Sequence, residues 1–341
     1  MKPIALIYIA LGSICLLGML ATPANAQDGL PGSPAFGYGV CLNIDGSQVE
    51  QAVQTASNYG IDWLTIDFNW AKYWPDVNVE PQWSDLDRTM NAVGNSSISV
   101  MIAINNAPTW ASGVDGPSSS WTSELALRLV RRYPQHLLAI ELFPGANTAQ
   151  GWGSTPNAQA YANLYQDVDH ALRSEGHPIT VVAVGLNPAE GIPSALNYLQ
   201  SIYDTGFGLT IPIISLRTPA IAYPPSTSPS EVAEYTLRFY EQARQVMLNN
   251  GHQNGLIWVT RFDWRSDQVT DAQSQANWLQ NAYITMRPQL YIGMASFYCI
   301  NETGAVSSLL NSDGSPTAVF NAFGELIASE RGYHTASSSD G

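Results

Sequence analysis

The chain is 341 residues long, 45% hydrophobic and 10% aromatic, enough apolar material to bury a large core without a metal or a partner subunit. Lysine and arginine number 14 against 28 aspartates and glutamates, a formal net charge of -14. A surface that acidic repels phosphate backbones and anionic lipid, which excludes nucleic acid as a partner.

The first residues combine Lys2, an apolar run from Ile4 to Leu20 and the small-x-small site Ala24-Asn25-Ala26. That pattern predicts a signal peptide over 1–26 and a secreted or extracytoplasmic mature chain. The alternative is an uncleaved leader, the only route by which this chain would meet a membrane. Cys15 lies inside the apolar run after Ile14, which is not a lipid-attachment context. Removing the leader takes one lysine and no acid, so the charge moves from -14 to -15. Cys41 and Cys299 then remain, either as one disulfide or as two buried thiols.

After a Gly/Pro-rich lead-in over 27–35, short apolar runs alternate with amphipathic stretches. Strands are expected at 36–43, 61–68, 98–105, 136–143, 179–186, 211–217, 256–262 and 291–299. Helices are expected near 47–59, 83–93, 122–133, 157–174, 193–204, 229–250, 271–286 and 316–329. The sixth has the clearest start, a capping box of Ser228 and Glu231 with Pro229 at the first helical position. Eight strand-helix units over 36–329 predict an α/β fold of the (β/α)8 TIM barrel type as a single domain, with a disordered tail over 330–341. A doubly wound open sheet is the other topology that fits. Cys41 on the first strand and Cys299 on the last favour closure, since only a closed sheet makes those strands neighbours and brings the pair within bonding reach.

In a barrel the residues just past each strand form the mouth. Here they include Trp70, Trp74, Trp110, Trp152, Tyr223, Trp264 and Tyr298. Flat aromatic faces at a cup's mouth suit the C–H faces of sugar rings; the structural alternative is that large rings simply cap the barrel.

The segments GIDWLTIDFNWAKYWP (60–75), WSDLDRTMNAV (83–93) and VMIAINNAPTWA (100–111) resemble the front half of the retaining glycoside hydrolases built on the eight-fold barrel. GLIWVTRFDW (255–264) and SQANWLQNAY (274–283) resemble the back half. The resemblance implies a catalytic acid/base glutamate after the fourth strand and a nucleophilic glutamate ending the seventh, about 5 to 5.5 Å apart. In this sequence those positions carry Gly145 and Arg261, and a histidine that the family often places at the end of the sixth strand aligns with Arg217. Glycine moves no proton, and a guanidinium has no acceptor lone pair and stays charged. A fixed cation about 5 Å from an oxocarbenium-like transition state costs roughly 3 kcal/mol at an effective dielectric of 20, about a hundredfold in rate.

Asp263 and Asp67 are the carboxylates placed to substitute; Glu141 lies about 13 Å deeper than Gly145 at roughly 3.3 Å per residue. Against that stands ion pairing of all three with Arg217 and Arg261, which buried charges require. The histidines show no metal-ligand spacing, and neither a nucleophile elbow nor a phosphate-binding loop is present, so no metal and no cofactor is expected. Asn95-Ser96-Ser97 and Asn301-Glu302-Thr303 match the glycosylation pattern. The sequence therefore predicts an exported, hydrolase-like barrel without family catalysis, acting as a carbohydrate-binding or cell-surface protein; it would bind sugar through Trp70, Trp74, Trp110, Trp152, Arg217, Tyr223, Arg261, Trp264 and Tyr298, the two arginines suiting an acidic sugar such as a uronate, unless its own loops fill the cup and leave a scaffold. The alternative is a working hydrolase that uses Asp263 and Asp67.

Overall fold

A computed structural model describes residues 36–94, 96–177, 179–265, 267–269, 271–302 and 308–331. The leader, the lead-in, the tail beyond residue 331, Asn95 and Thr303 lie outside the described residues. Eight strands form the barrel: β1 (Gly37–Cys41), β2 (Trp63–Asn69), β3 (Ser99–Asn105), β4 (Leu137–Leu142), β5 (Thr180–Leu186), β6 (Ile213–Ile221), β7 (Leu256–Trp264) and β8 (Ile292–Cys299). Each pairs in parallel with its sequence neighbours, and β1 pairs with β8, so the sheet closes. The open doubly wound topology is thereby excluded. Their near-continuous apolar character follows from burial on both faces, the inner one against the barrel axis and the outer one under helices.

The surrounding helices are α1 (Val49–Asn58), α2 (Ser84–Val93), α3 (Ser119–Arg132), α4 (Ala158–Ser174), α5 (Ile192–Asp204), α6 (Phe239–Asn249), α7 (Ala272–Met286) and α8 (Ala318–Glu330). Three start on side-chain caps: Asn157 accepts from the amide of Ala160, Asp271 from Ser274 and Thr317 from Phe320, satisfying donors that the first helical turn leaves free. The expected sixth helix is a correction. One arm of its capping box forms, with the Ser228 amide donating to Glu231 Oε2 at 3.4 Å, while the Ser228 hydroxyl pairs with Ser230, and the regular helix begins only at Phe239. Between them Tyr235 donates its hydroxyl to the Pro219 carbonyl and Leu237 is buried. Tertiary contacts with the end of β6 thus draw this stretch away from helical geometry.

Cys41 and Cys299 face each other in the β1–β8 register and form a disulfide, with Cα atoms 4.0 Å apart. Just beyond it the Asn301 side chain accepts from the Asn43 amide at 2.9 Å and donates to the Asn43 carbonyl at 2.7 Å. Among the described residues, no helix is long and apolar enough to cross a membrane.

Candidate functional site

Strand alternation sends every second residue of a barrel strand toward the axis. On β7 Trp258 packs in the barrel floor and Thr260 bonds to Glu141, so strict alternation would turn Arg261 outward into the helix layer. The β6–β7 register steps between Leu216↔Val259 and Arg217↔Arg261, taking up one extra residue on β7. That bulge re-aims Arg261 into the mouth, a use of bulges common at barrel rims.

The mouth holds a cleft of about 450 Å³ lined by Asp67, Asn105, Gly145, Asn187, Arg217 and Arg261, with Asn69, Asn106, Thr148 and Gln150 completing its polar wall. Roomier depressions of about 720 and 740 Å³ are lined by loop and helix residues and include none of these strand-end side chains. Barrel chemistry is carried where strands end, so the cleft is the candidate site.

Its charges form one network. Arg217 Nη2 bridges Asp67 Oδ1 at 2.7 Å and Glu141 Oε2 at 2.8 Å. Arg261 Nη1 lies 3.2 Å from Asp67 Oδ2, and its Nε lies 3.8 Å from Asp263 Oδ2. Glu141 is fully buried and takes a further bond from the Thr260 hydroxyl at 2.7 Å. Burial alone would raise the Asp67 carboxyl, but Arg217 and then Arg261 outweigh it and hold Asp67 below the usual carboxylate range. Burial would likewise lower Arg217, and Asp67 with Glu141 reverses it, so its charge is fixed. Asp263 behaves oppositely: burial raises it, and the Ala220 amide, donating at 2.6 Å, and Arg261 only partly offset that. Tyr298, with its ring centre 5.9 Å from the Arg261 guanidinium, is pushed up to about 12 by burial and by Glu302.

Two guanidiniums thus face three carboxylates, Asp67, Glu141 and Asp263. The arginine charges that suggested a uronate are already paired with carboxylates of the protein.

The aromatic expectation divides. Trp70, Trp74, Trp152 and Trp264 are only 0%, 2%, 1% and 4% exposed. Their faces are taken by other rings: Trp74 meets Trp110 at 5.0 Å, Trp152 meets Phe143 at 5.8 Å and Trp264 meets Phe297 at 5.1 Å. As ligand contacts these four are corrected; they are barrel wall. Trp110, Tyr223 and Tyr298 are half-buried and keep surface at the rim. Asp67 and Arg217 meet Gly145 and Arg261 in the cleft lining, whereas Asp263 is not part of it. Among the described residues, no group of three or more histidine, cysteine or acidic side chains is placed to hold a metal.

Sequence reasoning passed over the amides. Asn69 and Asn105 end β2 and β3, and Asn187 directly follows β5. An asparagine recurring immediately after an apolar strand was the signal that could have found them.

Backbone geometry sets the same rim apart. Non-glycine residues with left-handed φ occur at Asn106 (51°), Phe143 (45°), Val184 (81°) and Ala220 (52°), at or near the ends of β3, β4, β5 and β6. Gly145 adopts φ 80°, and a Cβ built there would meet nothing closer than 3.6 Å. Such conformations are costly and concentrate where the surrounding structure enforces them, often at functional sites.

The closed barrel superposes on solved structures of glycoside hydrolases. The fold is that of the glycoside hydrolases. A family 39 glycoside hydrolase from the gut symbiont Bacteroides cellulosilyticus WH2 superposes with a TM-score of 0.65 over 85% of this chain and 62% of its own, at 17% identity. A monomeric β-xylosidase from Caulobacter crescentus CB15 gives a TM-score of 0.62 over 85% of this chain and 68% of its own, at 13% identity. An exo-β-1,4-mannosidase from Opitutaceae bacterium strain TAV5 gives 0.61 over 86% and 60%, also at 13% identity. This chain thus spans less than two thirds of the length of the first and third of these hydrolases. No protein-family model matches the sequence, and no curated protein does. At these identities the likeness to glycoside hydrolases is one of fold.

Proposed function

We propose that this protein is an exported carbohydrate-binding barrel that keeps the glycoside hydrolase cleft without its catalytic carboxylates. One observation carries the reading: Arg261 stands at the mouth where β7 ends, ion-paired to Asp67, which is itself held by Arg217. A guanidinium in that place attacks nothing and opposes the positive charge that glycoside cleavage develops. Gly145 across the cleft supplies no proton. What remains is a wall of amides, Asn69, Asn105, Asn106, Asn187 and Gln150, whose paired donors and acceptors suit the hydroxyls of a neutral sugar. Half-buried Trp110, on the rim just past Asn105 and Asn106, offers apolar surface to the next ring of a chain. The leader pattern at 1–26 and the Cys41–Cys299 disulfide support export.

A second reading has one observation in its favour. Asp67 is held ionised while Asp263 is shifted toward the protonated form, the separation that an acid and a base at one site display. Against it, both Asp67 oxygens are engaged by arginines, and Asp263 accepts from the Ala220 amide outside the cleft lining.

Purified protein offered to an array of neutral and acidic oligosaccharides, and in parallel to aryl glycosides, separates the two. The binding reading expects retention of neutral chains with no release of aglycone. Turnover that Asp263→Asn or Asp67→Asn abolishes would overturn it in favour of the second.

A further inference from the structure

Val184 is β-branched and sits at φ 81°, a conformation such residues avoid unless held there. What holds it comes from outside the sheet. Tyr161 on α4 is completely buried; its hydroxyl donates to the Leu142 carbonyl at 2.9 Å and accepts from the Val184 amide at 2.5 Å. Strands β4 and β5 pair at Ala139↔Thr180, Ile140↔Val181 and Glu141↔Val182, and the ladder stops there. The tyrosine oxygen takes the place of the next rung.

The consequences run to the cleft. Ser215 on β6 donates to the Ala183 carbonyl at 2.9 Å and accepts from the Gly185 amide at 2.8 Å, bridging the register step between Ala183 and Leu186. Gly185, at φ 51°, then turns its carbonyl to the Gly145 amide at 2.7 Å. The approach is close enough that a Cβ on Gly185 would lie 2.3 Å from Pro144 Cα. Asn147 and Asn187 exchange two further bonds, at 2.7 and 2.8 Å. Pro144, Gly145 and Asn187 all line the cleft.

We propose that Tyr161 is a positioning residue for the cleft: its hydroxyl, wedged between β4 and β5, fixes the left-handed bend at Val184 and Gly185 against which Pro144, Gly145 and Asn187 are laid. The claim that this bend tunes ligand fit rests on the carbohydrate-binding reading; the wedge itself does not. The sequence shows Tyr161 only as one more apolar-face residue of α4, beside Tyr165.

Hydrogen exchange resolved by residue, on wild type, Tyr161→Phe and Ser215→Ala, tests the wedge. Tyr161→Phe removes the acceptor of Val184 and the donor to Leu142. Exchange at the amides of Val184, Gly185 and Gly145 is expected to quicken about tenfold or more, with the amides of β1 to β3 unchanged. Ser215→Ala is expected to quicken Gly185 and Gly145 but not Val184, and it carries the test if Tyr161→Phe fails to fold. Unchanged exchange at Gly185 and Gly145 in whichever variant folds overturns the proposal. Calorimetric titration with cellohexaose, xylohexaose and mannohexaose reads the second half. Whichever sugar binds wild type is expected to bind Tyr161→Phe at least about fivefold more weakly, and equal binding in a variant with quickened exchange overturns the positioning role. If none of the three binds wild type, the carbohydrate reading fails while the exchange pattern still decides the wedge.

Discussion

The two ends of the barrel interior are built from the same columns of inward residues on opposite principles. At the floor, Trp63, Met101, Ala139, Val182, Ile213, Trp258 and Met294 form an apolar plug, with Trp63 and Trp258 packed edge to face at 5.0 Å. One inward step up, the side chains are Thr65, Glu141, Ser215, Thr260 and Ser296, all buried. A further step reaches Asp67 and Arg217, with Arg261 added by the β7 bulge. The columns of β2 and β6, and that of β7 through its bulge, thus pass from hydrocarbon through hydroxyl to charge. The floor gains stability from burial and close packing. The mouth spends it, since a buried ionic network rarely outperforms an apolar one of the same shape. A barrel that needed only to close would not build the mouth this way.

If that contrast is right, breaking the network at one partner should cost as much as opening a hole in the floor, for a different reason. Arg217→Met strands Glu141 in the interior with only Thr260, an expected loss of about 3 to 5 kcal/mol. Chemical denaturation measures it, and Arg217→Met/Glu141→Leu should recover most of it by removing both charges. Trp258→Ala in the floor should lose a comparable amount, about 3 to 5 kcal/mol, but no second polar deletion should restore it, and sugar binding by the folded fraction should be unchanged.

Acid should distinguish the regions next. Because the Asp67 carboxyl is held low in the folded state, the stability its pairs contribute is complete above its unfolded value of about 3.9 and is lost as pH falls through the folded one. Asp263 is raised, so its burial costs stability above its folded value, and that cost is relieved as pH drops toward about 3.9. Melting curves from neutral to acid pH should therefore show a shallower acid limb in Asp67→Asn, and no stabilisation on mild acidification in Asp263→Asn. The floor, without a titratable group, should leave both limbs alone.

The smallest stability change belongs to Arg261→Gln. This side chain is a quarter exposed and its closest partner, Asp67, keeps Arg217, so the expected cost is about 1 kcal/mol or less. Binding of neutral oligosaccharides, followed by calorimetry, should nevertheless weaken. A stability loss as large as that of Arg217→Met would place Arg261 among the structural charges instead.

Much of this barrel was legible in the sequence because its strands are apolar runs bounded by turn residues and most helices announce their faces and caps. Asp271 and Thr317 cap α7 and α8 close to where the pattern put them. The signal failed where tertiary contacts overrode local chemistry, as in the segment before α6. The candidate site was half legible: Arg261 and Arg217 stood out because they fall where the family resemblance implies a glutamate and a histidine, and charges buried there require partners such as Asp67. Ring exposure was not legible, since Trp74 and Trp110 follow strand ends in the same manner and only packing decides that the first is enclosed. The β7 bulge and the Tyr161 wedge leave no local signature, because each is a relation between elements distant in sequence.

The Cys41–Cys299 bond has a consequence for the molecule under attack. It joins residues 258 positions apart, one at the end of the first strand and one at the end of the last, so β2 to β8 and helices α1 to α7 lie on a covalent ring. A protease that nicks any loop within that ring leaves a single molecule whose two pieces remain tethered across the β1–β8 seam. Such a nicked barrel should migrate intact until it is reduced, and separate into two fragments afterwards.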